Sequence, residues 1–153
     1  ENVHVGLDDI AVVGESFFDK QVQLKTGFEV FRERYPKTTI IEGKSSCTGC
    51  MGELIGSFFH VRDAGFGKTL HGLTVVMGSP IKEALPEDNV LLLGKCCRSY
   101  REHGRFVKGC PPKEEAILEA LSEVCEFSLD TVLKNREQHR KEIWEGTDEA
   151  LKR

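Results

Sequence analysis

Apolar residues in this chain fall in short runs that close on glycine. Ile10-Ala11-Val12-Val13 ends at Gly14, and Thr38-Thr39-Ile40-Ile41 runs through Glu42 to Gly43. Leu73 to Met77 ends at Gly78-Ser79-Pro80, and Val90-Leu91-Leu92-Leu93 ends at Gly94. Short apolar runs bounded by turn formers predict buried strands. Phe106-Val107 predicts a very short further strand.

Elsewhere the period changes to that of a helix. Leu54, Ile55, Phe58 and Phe59 predict a helix over Cys50 to His60, with Gly56 a minor weakness. Ile117, Leu118, Leu121, Val124 and Cys125 line one face of a helix expected over Pro112 to Cys125, where proline suits the first position. Ser128 to Glu145 reads as the last helix, with Ser128 as N-cap and Gly146 as stop. One helical turn is expected over Ile81 to Leu85, and a loop over Asp63 to Gly67. Residues 15–37 scatter apolar positions among charges. They predict loop with a short helix from Phe28 to Arg34, stopped before Pro36, and packing on something absent from this chain.

Strands alternating with helices predict an α/β fold with a short, mostly parallel sheet. The expected organisation is an N-terminal strand and irregular segment over 1–37, a remnant of a larger protein, then an α/β domain with C-terminal helices over 38–153. In such sheets ligands sit beyond the carboxyl ends of the strands. That places three loops together: the one after Gly43, the one after Gly94, and Lys108-Gly109-Cys110-Pro111-Pro112.

Composition narrows the classes. A net charge of −4 argues against a general nucleic-acid binder. No apolar run approaches membrane-spanning length, and no signal peptide is expected from the first residues. The expected setting is cytoplasmic. The chain is large enough to fold without disulfides, so its six cysteines read as metal or redox sites.

Five of those cysteines sit in the three loops, and four are the candidate ligands: Cys47-x-x-Cys50, then Cys96, then Cys110 in Gly-Cys-Pro-Pro. A C-x-x-C loop lets two thiolates face one centre, and Gly49 relieves its backbone. Helices expected to start after Cys50 and Cys110 would aim N–H groups at the anionic site. Lys44, Lys95 and Arg98 supply compensating charge. Four thiolates suit zinc or an iron–sulfur cluster. One close pair joined by two distant single cysteines favours the bulkier cluster. Cys97 stands as an alternative fourth ligand, a persulfide carrier or a redox-active thiol. Cys125 reads as a core residue of its helix.

Other signals are weaker. Gly67-Lys68-Thr69 is half of a P-loop, but Arg62 stands where the motif needs glycine. His60, His71 and His103 are scattered. Glu53 and Glu102 form no carboxylate pair.

Glu42-Gly43, Cys47-Thr48-Gly49-Cys50 and Gly109-Cys110-Pro111-Pro112 resemble the small subunit of nickel–iron hydrogenases and the related B-type subunit of respiratory complex I. Cys96, after a strand in a Gly-x-Cys context, matches the remaining ligand. The resemblance implies a flavodoxin-like three-layer fold with a proximal [4Fe–4S] cluster on Cys47, Cys50, Cys96 and Cys110. Two departures stand out: the gap from Cys96 to Cys110 is shorter, and the acidic residue falls one place later, at Glu53. The order of motifs from Ile10 to Pro112 is also similar to the C-terminal part of an uncharacterised iron–sulfur-associated family, which implies a further N-terminal domain. The expectation is an electron-transfer or redox module serving a redox partner or that domain. The alternatives are a redox or sulfur-handling enzyme with an open cluster site, and a structural zinc-binding interaction domain.

Overall fold

Three β-branched or aliphatic runs and the short Arg105-Phe106-Val107 form the strands, and they pair in the order in which they occur. A computed structural model describes residues 25–151; the strand expected at Ile10 to Val13 lies outside them. β1 (Thr39–Glu42), β2 (Thr74–Met77), β3 (Val90–Leu93) and β4 (Arg105–Val107) make a four-stranded sheet of order β1-β2-β3-β4. Every pairing is parallel, with Ile41 opposite Val76, Val76 opposite Leu92 and Leu92 opposite Phe106. The two central strands are buried at all positions, as a parallel sheet covered on both faces requires.

Residues of alternate parity face opposite layers. Val75, Met77, Leu91, Leu93 and Val107 join the larger core beneath the helices. Ile41, Val76, Val90 and Leu92 join a smaller one with Cys97, covered by Ile81, Leu85, Tyr100 and Phe106. The result is the expected α/β, three-layer arrangement. Its second outer layer, however, is built from irregular chain and 3-10 turns rather than α-helices.

The helical layer contains α1 (Gly27–Arg34), α2 (Thr48–Val61), α3 (Glu114–Cys125) and α4 (Leu129–Leu151). α1 is fixed by a capping box: the Glu29 N–H donates to Thr26 Oγ1 at 3.3 Å, and the Thr26 N–H donates to Glu29 at 2.7 Å. Its Phe31 packs on Tyr35 and Phe58, with ring centroids 4.9 and 5.0 Å away. The segment around the expected Phe28–Arg34 helix therefore packs within the chain, on α2. Burying Phe31 and Phe58, both under 3% exposed, contributes about 1.5–3 kcal/mol each.

Several boundaries differ from expectation. α2 starts two residues early, with Cys47 as its N-cap. After α2 the chain does not loop freely but turns tightly through Arg62–Phe66 and Gly67–Leu70, with Gly65 in the left-handed region at φ +90°. Ile81 to Leu85 forms no helical turn. Both apolar residues instead lie on the second core, and the Ile81 N–H donates to the Tyr100 hydroxyl at 3.0 Å. α3 starts at Glu114, with Lys113 as its N-cap. α4 runs through Gly146, because the residue lies inside a helix already propagated for several turns and costs it only about 1 kcal/mol.

Candidate metal centre

All three cysteine-bearing loops leave the carboxyl ends of strands, and glycines lock them together. Gly43 follows β1 and Gly78 follows β2. A Cβ on Gly78 would sit 2.5 Å from the Ser46 amide nitrogen and 2.7 Å from the Gly43 oxygen, and its φ is +81°. A Cβ on Gly43 would collide with the Ser79 backbone. This close approach permits a ladder between the loops. The Gly43 N–H donates to Met77 O at 2.7 Å, the Ser45 N–H to Ser79 O at 3.1 Å, and the Ser79 N–H to Ser45 Oγ at 2.9 Å. Across the sheet, the Gly94 N–H donates to Val107 O at 3.0 Å and the Lys95 N–H to Gly109 O at 2.8 Å. The loops after β3 and β4 are thereby fixed as a second pair.

Gly94 lies where the thiols meet. A Cβ there would be 3.1 Å from Cys50 Sγ and 3.4 Å from Cys96 Sγ, and its φ of +89° favours glycine independently. On the other side of the C-x-x-C loop, a Cβ on Gly49 would be 3.7 Å from Cys47 Sγ and 3.5 Å from the Pro111 ring. The loop after Cys110 therefore rests on the turn between Cys47 and Cys50.

Electrostatics distinguish the thiols. Cys47 is exposed at the α2 N-terminus, where the backbone N–H groups of Cys50 and Gly49 point at its sulfur and hold its pKa below the ordinary thiol value. Cys50 is 3% exposed. Burial pushes its pKa up to about 11, aided by the negative charge that Cys47, Cys96 and Cys110 carry when ionised. The other three predicted ligands thus all act on Cys50. Such repulsion is what a cation or a cationic cluster core relieves.

Cys97 belongs elsewhere. It is fully buried in the second core, and its thiol donates to Val76 O at 3.5 Å and Gly78 O at 3.4 Å. Burial, then the neighbouring Cys96, pushes its pKa up to about 12. Cys125 lies on α3, and burial pushes it up to about 11. Among the described residues, no group of three or more His, Cys, Asp and Glu side chains is arranged to hold a single metal ion.

Only one of the two expected helix N-termini reaches the thiols. α3 begins four residues after Cys110, and its first turn carries Glu114 and Glu115. The Glu115 carboxyl is held low by its own backbone N–H and by Arg136. One free N–H of α3, that of Glu115, is answered by a carboxylate rather than by a thiolate.

The remaining sequence signals separate cleanly. Gly67-Lys68-Thr69 forms a 3-10 turn before β2, not after a strand, and Thr69 donates its hydroxyl to Phe66 O at 2.8 Å. His103 is exposed at the end of the 3-10 segment Lys95–His103. Glu102 pairs with Arg101 at 2.9 Å. His60, on α2, meets Glu114 at 3.0 Å, and Arg136 of α4 lies 3.5 Å from the same carboxylate. That cluster joins three helices, and no sequence motif marked it. The sequence marks Lys108 only as part of the Cys110 loop and Phe106 only as a strand residue. Together with Lys95 and Arg98 they line a cavity, and the adjacency of Lys108 to Gly109-Cys110 was the available clue.

Compared with known proteins, the chain matches no family model, no curated protein and no solved structure. Among the described residues, no helix is long and apolar enough to cross a membrane.

Proposed function

We propose that the chain holds a [4Fe–4S] cluster on Cys47, Cys50, Cys96 and Cys110 and serves as an electron-transfer module. The observation that carries this reading is the approach of Cys50 Sγ and Cys96 Sγ to one point over Gly94, from loops after two different strands. The charge that Cys47, Cys96 and Cys110 exert on Cys50 supports the same grouping. So does the resemblance of the motifs to the hydrogenase small subunit and its complex I relative. When bound, such a cluster supplies a one-electron carrier whose potential follows its hydrogen bonds and exposure. Cys47 and Cys110 are exposed, so an electron would pass to a redox partner through the outer side of the cradle. The buried Cys97, already hydrogen-bonded, is neither ligand nor persulfide carrier in this reading.

The test is anaerobic purification or reconstitution, with iron, acid-labile sulfide and zinc measured beside the visible spectrum. Close to four iron and four sulfide per chain is expected. Stoichiometric zinc without sulfide overturns the proposal.

One observation favours a second reading. An exposed thiol with a lowered pKa, followed three residues later by a buried thiol with a raised one, is the asymmetry of a dithiol–disulfide exchanger. There Cys47 attacks a partner disulfide and Cys50 resolves the mixed disulfide, so the partner is reduced as this pair is oxidised. A chain free of iron that reduces a model disulfide, and loses that activity on Cys47→Ser, would replace the cluster reading with this one.

A further inference from the structure

We propose that Lys95, Arg98 and Lys108 form a binding site for a small organic anion, a phosphate or carboxylate head on a flat apolar body. The three cations and Phe106 line a cavity of about 310 Å³, the lower end of the range for small-molecule sites. Lys95 and Arg98 come from the 3-10 segment after β3, and Lys108 follows β4. The Gly94-to-Val107 and Lys95-to-Gly109 hydrogen bonds hold the two pieces of backbone together.

No carboxylate among the described residues answers these three charges. Arg62, Arg101, Arg105 and Arg136 each pair with a carboxylate. None of Lys95, Arg98 and Lys108 has an ion pair among the described residues. Three basic side chains border one cavity, in a chain of net charge −4, and their like charges favour an anion there. The guanidinium offers a planar fork for a phosphate or carboxylate. The lysine stems and the half-buried Phe106 ring offer an apolar wall for the body.

Lys95 and Arg98 also line an adjoining open groove with Cys96. A bound anion therefore lies beside one of the proposed ligands. Binding itself needs no cluster, so this inference stands or falls separately from the proposed function.

Calorimetric titration of the full chain at low salt, with phenyl phosphate, benzoate and inorganic phosphate as probes, provides the test. Saturable binding of phenyl phosphate or benzoate is expected, at least about ten-fold tighter than that of inorganic phosphate. Which of the two aromatic probes binds tighter identifies the head group. Arg98→Ala and Lys108→Ala, both at exposed positions, should each weaken binding about ten-fold or more. Phe106→Leu should remove the preference for the aromatic probe. Lys82→Ala, an exposed lysine on another loop, should change nothing. The proposal is overturned if neither aromatic probe saturates by about 10 mM, or if Lys82→Ala weakens binding as much as Arg98→Ala.

Discussion

The two ends of the sheet carry the same residue type and do different things with it. Beyond the carboxyl ends, Cys50 has a pKa pushed up to about 11, first by burial and then by Cys47, Cys96 and Cys110. Toward the amino ends, Cys125 also reaches about 11, by burial alone. It borders a cavity of about 230 Å³ with Thr69, His71 and Asn89, and no second thiol acts on it. Equal values thus arise from unequal causes. A perturbed thiol becomes evidence for a site when its perturbers are other candidate ligands. Strand polarity explains the division: parallel strands gather their outgoing loops at one end, and three of those loops carry cysteines.

The largest expected effect separates the two ends outright. Cys50→Ser should abolish anaerobic iron loading, from about four iron per chain to well under one. Cys125→Ser should leave loading unchanged. Equal losses in both variants would mean that the cysteines act through folding and not through a shared centre.

Glycine substitutions probe the same contrast through stability. Gly78 and Gly72 both sit in the left-handed region, at φ +81° and +83°. A Cβ on Gly78 meets the Ser46 backbone, whereas one on Gly72 meets nothing within 4 Å. Gly72→Ala should therefore cost only the backbone strain, about 1–2 kcal/mol. Gly78→Ala adds overpacking against another loop, for about 3–5 kcal/mol in all. Thermal melts should show the difference as roughly 10 °C against 4 °C. Similar shifts would mean that the interlocked loops relax easily and do not hold the cradle.

Alkylation of the metal-free protein gives a finer ranking. Cys47, exposed and with its pKa lowered by helix N–H groups, should react first with iodoacetamide near neutral pH. Cys50, Cys97 and Cys125, all buried or half-buried and all raised, should react last, at least about ten-fold more slowly. Peptide mapping over a time course reads the order. Cys125 labelled ahead of Cys47 would reverse the contrast between the two ends.

Much of this organisation was legible in the residues. The strands announce themselves because buried parallel strands are continuous β-branched and aliphatic runs, and Gly43, Gly78 and Gly94 mark where they stop. Strand polarity alone places the loops that carry Cys47, Cys50, Cys96 and Cys110 at one end of the sheet. The second outer layer was not legible. In Lys95–His103 only Cys97 is buried, so no apolar repeat marks a helix. Ile81 and Leu85 have helical spacing yet serve as plugs over the second core, a tertiary role that local spacing does not encode. The start of α3 was misplaced because two prolines satisfy the rule for a first turn, while the chain needs Pro111 and Pro112 to finish the Cys110 loop. The residues already favour Cys96 over the adjacent Cys97; what only the fold supplies is the burial of Cys97 and its thiol hydrogen bonds to Val76 O and Gly78 O.

The smallest expected effect concerns His60, where burial and a charged neighbour pull in opposite directions. His60 Nε2 lies 3.0 Å from Glu114, which favours the imidazolium, yet its Nδ1 is buried with no hydrogen-bond partner. Arg136 and His139 oppose protonation, while Glu114 and Asp63 favour it. Burial dominates, so the folded-state pKa lies below the ordinary histidine value. A lowered histidine pKa means that the unfolded chain takes up the proton first as pH falls. Stability is then fully present above about pH 6.5, declines below it, and stops declining once pH has passed the folded-state value. Urea titrations from pH 8 to pH 5 should show this slope in the wild type and a shallower one in His60→Gln. Stability that rises as pH falls would mean that Glu114 outweighs burial. Composition would then have misled in the same way as at the two ends of the sheet, since the decisive quantity is which neighbour acts on the group and not how deeply it is buried.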